Sequence, residues 1–278
     1  MRKFCNILGM ERFLYRFSRS KYADAFVLKG ALLFTVWDIP ERRVTLDIDF
    51  WARYDNRVES IEAVMKDICE LPVEPDGLVF DSNGVHGRKI KEDADYEGVR
   101  VKFLGFLARS RIPMQIDIGF GDIVYPGAKA IEYPVILDLP KPHLKGYPAE
   151  SVISEKFEAM IKLGLLNSRM KDFYDIWIMM RRFTFDGYNL FEALKRTFGH
   201  RKTDLPTERP LFADEIYDEK SDRQILWKAF LRKNDIKQVP DKLSIIAKEI
   251  EEFLIGPLDA MIKGNGFNAE WRAPGPWK

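Results

Sequence analysis

Regular alternation of apolar and polar residues predicts a β-strand at residues 42–53, whose sequence is RRVTLDIDFWAR. The alternating positions are Val44, Leu46, Ile48 and Phe50 on the apolar side, and Arg43, Thr45, Asp47 and Asp49 on the polar side. Because successive side chains of a strand point to opposite faces, Asp47 and Asp49 lie on one face, about 6.5–7 Å apart. Two carboxylates at that distance repel each other, so their placement requires either solvent or a shared ligand.

The N-terminal half of the chain combines strands with helices. Its pattern predicts a helix at 10–19, a strand at 26–30 that breaks at Gly30 into a helix, a helix at about 56–70, and strands within 76–85, 98–107 and 112–121. A stretch at 125–148 with five prolines is predicted to be a linker.

From residue 149 onward the apolar period changes from 2 to 3.6, which indicates helices. They are predicted at 149–166, 169–182, 188–198, 221–232 and 240–255, and the last carries an apolar stripe of Leu243, Ile246, Ala247, Ile250, Phe253 and Leu254. The tail at 264–278 is predicted to be irregular. We therefore expect an α+β fold with an N-terminal domain at 1–145 and a helical C-terminal domain at 146–278.

Composition places the chain among globular proteins, since 46% of its 278 residues are hydrophobic and its net charge is +1. No apolar run reaches the roughly 18 residues of a membrane span, and the start, MRKFCNILGMERF, does not read as a secretory signal. Two cysteines, Cys5 and Cys69, form neither a disulfide framework nor a metal motif. We therefore expect a cytoplasmic protein without a membrane partner, in which any polyanion site is a local basic patch.

A third acid, Asp117, lies in MQIDIGF, where the same alternation recurs. If this strand pairs with the strand of Asp47 and Asp49, three carboxylates converge on one face, which is costly unless a cation neutralises them. Mg²⁺ fits such a site, and a two-metal arrangement would support in-line phosphoryl transfer. The alternative interpretation is a solvated sheet face without a ligand.

Four further residues are candidates for nucleotide chemistry. Gly30, at a strand-to-helix break 17 residues before Asp47, would let the backbone approach a phosphate, although taken alone such a glycine is more often a simple turn residue. Lys156 falls on the apolar face of its predicted helix, which favours either a cation in a cleft or a stem that snorkels to solvent. Asp172 and Asp175 begin the next helix, where the helix dipole and a pair between Lys171 and Asp175 would also explain them.

Several of these stretches occur together, in one order, in a known family. They are ERFLYRFSRSKYADAFVLKGALLF, RRVTLDIDF, DYEGVRVKF, MQIDIGFGD, SEKFEAMIKLGLLNSRMKDFYDI and LKRTFGHRKTDLP, spanning about residues 11–207. The chain resembles the AbiEii/AbiGii-type nucleotidyltransferase toxins, a branch of the DNA polymerase β-like nucleotidyltransferase superfamily. The resemblance implies a polymerase β-like N-terminal domain, a mixed sheet with flanking helices, followed by a helical domain that completes the active-site cleft.

The resemblance also implies roles for individual residues. It places Gly30 and Ala31 on the step that lines the nucleotide phosphates, and Arg43, Thr45 and Lys156 in nucleotide binding. It implies catalytic positions at Asp47, Asp49, Asp117, Lys156, Asp172 and Asp175, with Mg²⁺ held by Asp47, Asp49 and Asp117. The superfamily favours Gly-Gly or Gly-Ser at the first step, so Ala31 is a departure that adds a methyl group near the phosphates.

The function implied by the resemblance is that of a toxin in a two-gene phage-defence system, with its antitoxin encoded alongside. Some relatives transfer a nucleotide from an NTP to the 3′ end of tRNA. The resemblance further implies additional residues before the first helix. Two basic clusters would suit a tRNA acceptor: Arg12, Arg16, Arg19 and Lys21, and Lys195, Arg196, His200, Arg201 and Lys202. Such clusters are more often ordinary solvated faces than binding sites.

Two other function classes remain open at this level. A metal-dependent nuclease or phosphohydrolase also needs clustered acids and Mg²⁺, although Asp117 is followed by IGFGD rather than by the acid-x-lysine that such nucleases often carry. A catalytically silent member that acts by binding is the second alternative, and it predicts no NTP binding.

Overall fold

The computed structural model describes residues 2–41, 43, 45–93 and 96–278. The chain divides into two compact units. The sheet unit comprises Met1–Asp122 and Ala128–Tyr147, and the helical unit comprises Ile123–Gly127 and Pro148–Lys278. The predicted α+β class is confirmed, because a mixed sheet and many helices are both present.

A mixed β-sheet forms the sheet unit. Its described strands are β1 (Phe26–Lys29), β2 (Asp47–Ala52), β3 (Leu78–Phe80), β4 (His86–Asp93), β5 (Tyr96–Leu107), β6 (Ser110–Phe120), β7 (Lys129–Glu132) and β8 (His143–Gly146). The order across the sheet is β3-β5-β6-β2-β1-β8-β7, and β4 pairs with β5 beside β3. The pairs β2–β6 and β1–β8 are parallel, whereas the other pairs are antiparallel.

One face of this sheet is covered by the first helix. The helices of the sheet unit are α1 (Arg2–Arg19), the single turn α2 (Leu33–Val36) and α3 (Val58–Glu70). Phe13 and Phe17 are one turn apart on α1, so both rings point to the same side. The Phe17 ring stacks on Phe50 at 4.6 Å between centroids, and the Phe13 ring lies 5.2 Å from that of Phe103. The apolar positions of the strands are therefore buried against α1, and their polar positions lie on the opposite face.

Buried ion pairs fix α1 to the start of β3. Arg12 Nε and Arg16 Nη1 bind the Asp76 carboxylate at 3.0 and 2.7 Å, and all three side chains are buried. Burial opposes ionisation of Asp76, but the bonds from Arg16, from the Leu78 N–H and from Arg12 outweigh it and lower the Asp76 pKa. In the predicted basic cluster, Arg12 and Arg16 are therefore wrong as RNA-binding residues because they are buried, whereas Arg19 and Lys21 are exposed.

The described elements of the helical unit are helices and the two strands of a small antiparallel sheet. They are α4 (Ala149–Leu163), α5 (Met170–Arg182), β9 (Phe185–Asp186), α6 (Gly187–Arg201), α7 (Asp214–Tyr217), α8 (Asp222–Lys233), α9 (Leu243–Ile262) and β10 (Glu270–Trp271). The predicted stripe on α9 is confirmed, because all six of its residues are buried. None of the helices in the described part of the chain is long and apolar enough to cross a membrane.

The structure corrects three predictions about local structure. The strand predicted at 42–53 begins only at Asp47, where its register with β6 starts, and Leu46 before it is 47% exposed; Arg42 and Val44 lie outside the described residues. The predicted linker at 125–148 contains β7 and β8, and β8 pairs with β1, so it belongs to the sheet. The tail predicted to be irregular contributes β10, which pairs with β9.

Candidate active site

Four charged residues lie side by side across the face of the sheet that is turned away from α1. The register places Lys29 of β1 beside Asp49 of β2, Asp49 beside Asp117 of β6, and Asp117 beside Arg100 of β5. Residues that are directly opposite in a sheet point to the same face, with strands about 4.8 Å apart. We call these four residues the charged row. Acids occupy its two central positions and cations its two ends.

The pairing on which the three-carboxylate prediction depended is present. β2 and β6 run parallel, with Asp49 opposite Asp117 and Asp47 opposite Gln115. Asp47 and Asp49 are half-exposed, whereas Asp117 is only 8% exposed. Three carboxylates therefore occupy one face, and the two on β2 are more exposed than Asp117.

Gly30 follows β1 directly and makes room for one of these carboxylates. Its φ is +74°, a backbone conformation that favours glycine, and a Cβ at this position would collide with the carboxylate of Asp49. A 3₁₀ turn at Gly30–Leu32 and the four-residue α2 follow. A helical segment this short adds little dipole at its N-terminus, so the main contribution of Gly30 is the space it leaves for Asp49.

The other predicted nucleotide-binding residues of the sheet unit lie around this point. Ala31 is buried, so its methyl group packs inside the unit. Arg43 and Thr45 precede β2 and are half-buried. The Thr45 hydroxyl lies 3.4 Å from the backbone N–H nitrogen of Asp47 at the start of the strand. Their contact with a nucleotide stays a prediction.

Sequence reasoning missed Arg100. Its Nε and Nη2 donate to Oδ1 and Oδ2 of Asp117 at 2.7 and 2.6 Å, a two-bond fork between guanidinium and carboxylate. The bond to Asp117 raises the Arg100 pKa, burial opposes this, and the charges of Asp117, Asp47 and Asp49 add to the rise. The alternation VRV at 99–101 would have placed Arg100 on the polar face, and only the register shows that it lies beside Asp117.

The donors of this face fit a magnesium ion in part. Among the described residues, no group of three or more His, Cys, Asp or Glu side chains is arranged to hold a metal ion. Mg²⁺, however, is commonly held by one or two carboxylates together with substrate phosphates and water. The two half-exposed carboxylates of Asp47 and Asp49 suit that mode of binding.

The candidates of the helical unit form a second group. Lys156 Nζ lies 2.7 Å from Asp172 Oδ1 and 2.8 Å from Asp175 Oδ2, and Arg169 Nε lies 3.3 Å from Asp172 Oδ2. We call Lys156, Asp172 and Asp175 the Lys156 cluster. The lysine side chain is 14% exposed and those of the aspartates 3% and 1%, so the snorkelling interpretation of Lys156 is wrong. Helices α4 and α5 are joined here by buried charges.

The second predicted basic cluster is only partly at the surface. Arg201 is buried and donates to Glu158 at 2.7 Å, so it is wrong as an RNA-binding residue. Lys195, Arg196, His200 and Lys202 are exposed around the end of α6. Arg196 pairs with Glu192 at 3.0 Å. A basic surface remains at this end of α6.

Comparison with known proteins identifies the family. Residues 12–253 match the model of a family described as nucleotidyl transferase AbiEii toxin, type IV toxin–antitoxin system. No curated protein matches the chain. Among solved structures, JHP933 from Helicobacter pylori is 14% identical, with a TM-score of 0.47 over 94% of this chain and 95% of that one. A second H. pylori protein, a candidate nucleotidyltransferase, is 16% identical, with a TM-score of 0.45 over 89% and 94% of the two chains.

The family assignment rests on the sequence match, because the structural likenesses are too distant to add to it. The matched segment covers most of the chain and includes both the charged row and the Lys156 cluster. The chain therefore belongs to the AbiEii family of nucleotidyltransferase toxins, whose type IV toxin–antitoxin systems imply an antitoxin partner.

Proposed function

We propose that this nucleotidyltransferase is Mg²⁺-dependent and transfers a nucleoside monophosphate from an NTP to the 3′ end of tRNA. The observation that carries the proposal is the pair of half-exposed carboxylates, Asp47 and Asp49, on the polar face of β2 beside Gly30. Acids so arranged, in a family of nucleotidyltransferases, suit a cation that bridges protein and triphosphate.

The reaction proposed for this face is an in-line displacement. The 3′ hydroxyl oxygen of the acceptor bonds to the α-phosphorus, the bond from the α-phosphorus to the bridging oxygen breaks, and pyrophosphate leaves. The hydroxyl proton passes to water, which reaches the half-exposed carboxylates. Mg²⁺ bound by Asp47 and Asp49 would supply charge neutralisation for the phosphates. Gly30 keeps the Asp49 carboxylate in place because it has no side chain to displace it.

We further propose, on the resemblance to the family, that the sheet unit has a polymerase β-like fold and that the helical unit completes the active-site cleft. Lys156, Asp172 and Asp175 are proposed to act in nucleotide binding, and Arg43 and Thr45 with them. The ion pairs of the Lys156 cluster support the view that its three residues act together, since replacing either acid also changes the environment of the lysine.

The proposed acceptor site is the basic surface at the end of α6. Exposed Lys195, His200 and Lys202 would contact the phosphate backbone of tRNA. If such contacts dominate, tRNA affinity falls steeply as the salt concentration rises. Phage defence in the cytoplasm is the proposed biological setting, with the antitoxin encoded alongside.

The test is transfer of label from each α-³²P NTP, with Mg²⁺, to total tRNA and to total protein. An Asp47→Asn variant removes one proposed metal ligand, and Asp235→Asn serves as the matched control because Asp235 is 82% exposed in the helical unit. Label on tRNA that is lost in Asp47→Asn and kept in the control supports the proposal. Label on protein would show that the acceptor is a protein and not tRNA. Shortened RNA without release of pyrophosphate would support the nuclease alternative. The absence of both label and NTP binding would support a catalytically silent family member.

A further inference from the structure

We propose that Arg100 is a further binding residue of this site. Its guanidinium hydrogen-bonds both oxygens of the third acid, Asp117, and also binds the triphosphate. Metal binding then falls to Asp47 and Asp49 alone. The inference rests on the proposed function, because it says which acids of the same reaction bind Mg²⁺ and which acid binds Arg100.

The first observation is that both oxygens of Asp117 are already bound. Arg100 Nε and Nη2 donate to them at 2.7 and 2.6 Å, distances typical of strong charge-assisted bonds. The Asp117 side chain is 12% exposed. A metal ion at Asp117 would have to displace this fork from a nearly buried carboxylate, and Asp47 and Asp49 are more exposed than Asp117.

The second observation is where the guanidinium itself lies. Arg100 is 29% exposed and stands at the end of the charged row, on the face that carries Asp47 and Asp49. Its fork to Asp117 uses Nε and Nη2, so Nη1 takes no part in that pair. A guanidinium with one edge held and another directed away from its carboxylate suits the binding of phosphate oxygens, for which arginine offers several N–H donors in one plane.

The third observation is the register. Arg100 lies beside Asp117, and Asp117 lies beside Asp49, so Arg100 is two strands, about 10 Å, from the acids of β2 on the same face. An incoming triphosphate, which is strongly anionic, therefore meets a cation beside the two acids that are proposed to hold Mg²⁺. Arginine acts in this way in many phosphoryl-transfer sites.

A structural strut between β5 and β6 is the competing explanation of the Arg100–Asp117 pair. It predicts lower stability when the pair is broken but unchanged affinity for metal and nucleotide. The two explanations are therefore separated by binding measurements rather than by activity alone.

The first experiment measures Mn²⁺ binding by electron paramagnetic resonance in the wild-type protein, Asp49→Asn and Asp117→Asn. We expect the affinity for Mn²⁺ to fall about tenfold or more in Asp49→Asn, and to stay within about twofold of wild type in Asp117→Asn. Equal losses in the two variants would show that Asp117 is a metal ligand and would overturn the proposal.

The second experiment measures binding of a fluorescent NTP to Arg100→Gln, Arg100→Lys and Arg111→Gln. We expect a loss of about tenfold in Arg100→Gln and a smaller loss, about threefold, in Arg100→Lys, which keeps the charge but not the fork. Arg111 is the matched control, since it is exposed on β6 and lies about 20 Å from Asp117 along the strand. Arg111→Gln is expected to bind like wild type. Wild-type affinity in Arg100→Gln would leave the strut as the explanation and would overturn the proposal.

Failure of the inference and failure of the proposed function give different results. A wild-type protein that labels tRNA while Arg100→Gln binds NTP equally well overturns the inference alone. A wild-type protein that binds neither Mn²⁺ nor NTP overturns the proposed function and the inference with it. Thermal unfolding shows whether Arg100→Gln and Arg100→Lys are folded. If Arg100→Gln is unfolded, the NTP affinity of Arg100→Lys, which keeps the charge beside Asp117, decides between the two explanations.

Discussion

The two acids of β2 in the sheet unit and the two acids of the Lys156 cluster in the helical unit are the same kind of side chain in different surroundings. Asp47 and Asp49 are half-exposed, whereas Asp172 and Asp175 are almost completely buried against Lys156. Burial makes an uncompensated carboxylate costly, so the buried acids require their lysine. The half-exposed acids keep part of their contact with water, which lowers the cost of their charge. The degree of burial therefore distinguishes the acids that hold helices together from the acids that we propose to bind a ligand.

The largest expected effect is a loss of nucleotidyl transfer when an acid of β2, Asp47 or Asp49, is replaced. Asp49→Asn removes a proposed metal ligand but keeps the shape of the side chain, so transfer should fall by about 1000-fold in a variant that still folds. Transfer is measured with α-labelled NTP and stability by thermal unfolding. The control Asp235→Asn should change neither. Full transfer activity in Asp49→Asn would show that Asp49 is not needed to bind an essential metal ion.

Asp76, a buried acid of the sheet unit, tests whether the effect of a substitution on stability depends on burial or on the unit in which the acid lies. Asp76→Asn leaves Arg12 and Arg16 buried without their carboxylate, so the free energy of unfolding should fall by about 3–5 kcal/mol. Urea unfolding at neutral pH measures the loss. A variant as stable as wild type would contradict the role given to burial.

The same acid predicts a pH dependence. Its pKa is lowered from 3.8 in the folded chain, so the unfolded chain takes up the proton at higher pH. The contribution of Asp76 to stability is therefore complete above about 3.8 and is lost as the pH falls through the folded pKa. Acid unfolding should be less steep in Asp76→Asn than in the wild type. Identical acid transitions would mean that other carboxylates account for the whole response.

Weakening the Lys156 cluster should have an intermediate effect. In Asp175→Asn the lysine keeps Asp172 as a partner, so we expect a loss of about 2–3 kcal/mol, smaller than for Asp76→Asn. Urea unfolding gives this value, and the exposed Asp235→Asn again provides the baseline. A larger loss than in Asp76→Asn would reverse the order that the comparison predicts.

The smallest expected effect concerns the glycine behind Asp49. Gly30→Ala adds backbone strain and a collision with the Asp49 carboxylate, which together should cost about 1–2 kcal/mol and reduce transfer. Gly121→Ala is the matched control, because Gly121 also has a positive φ, +88°, but has no neighbour within 4 Å of the added Cβ. The control should lose stability by strain alone. If Gly30→Ala and Gly121→Ala lose the same amount of transfer activity, the contact of Gly30 with Asp49 has no specific role in the reaction.

Much of the framework could be predicted from local patterns. Alternation placed Asp47 and Asp49 on one face of a strand, and the stripe from Leu243 to Leu254 is the buried face of α9. The hairpin of β7 and β8 escaped prediction because each strand has four residues, too few to show a period among the surrounding prolines. Element type follows from short-range order when the element is long.

The environment of each charge could not be predicted in this way. Arg12 and Arg16 follow the spacing of a solvated basic face, yet they are buried because Asp76, about sixty residues later in the chain, compensates them. Arg100 carries no signal of its own in the sequence, and only the antiparallel register of β5 and β6 places it beside Asp117. Partners that are distant in sequence decide whether a charge is open or buried.

By itself, the sequence determined the family, the α+β class and the face of β2 that carries the two acids, because each depends on residue order within a short segment. Only the tertiary structure decided that Asp117 is held by Arg100, that Lys156 is held by Asp172 and Asp175, and that Asp47 and Asp49 stay half-exposed. The physical reason is that the cost of a charge depends on which groups surround it, and strand register and helix packing bring those groups together from distant parts of the chain.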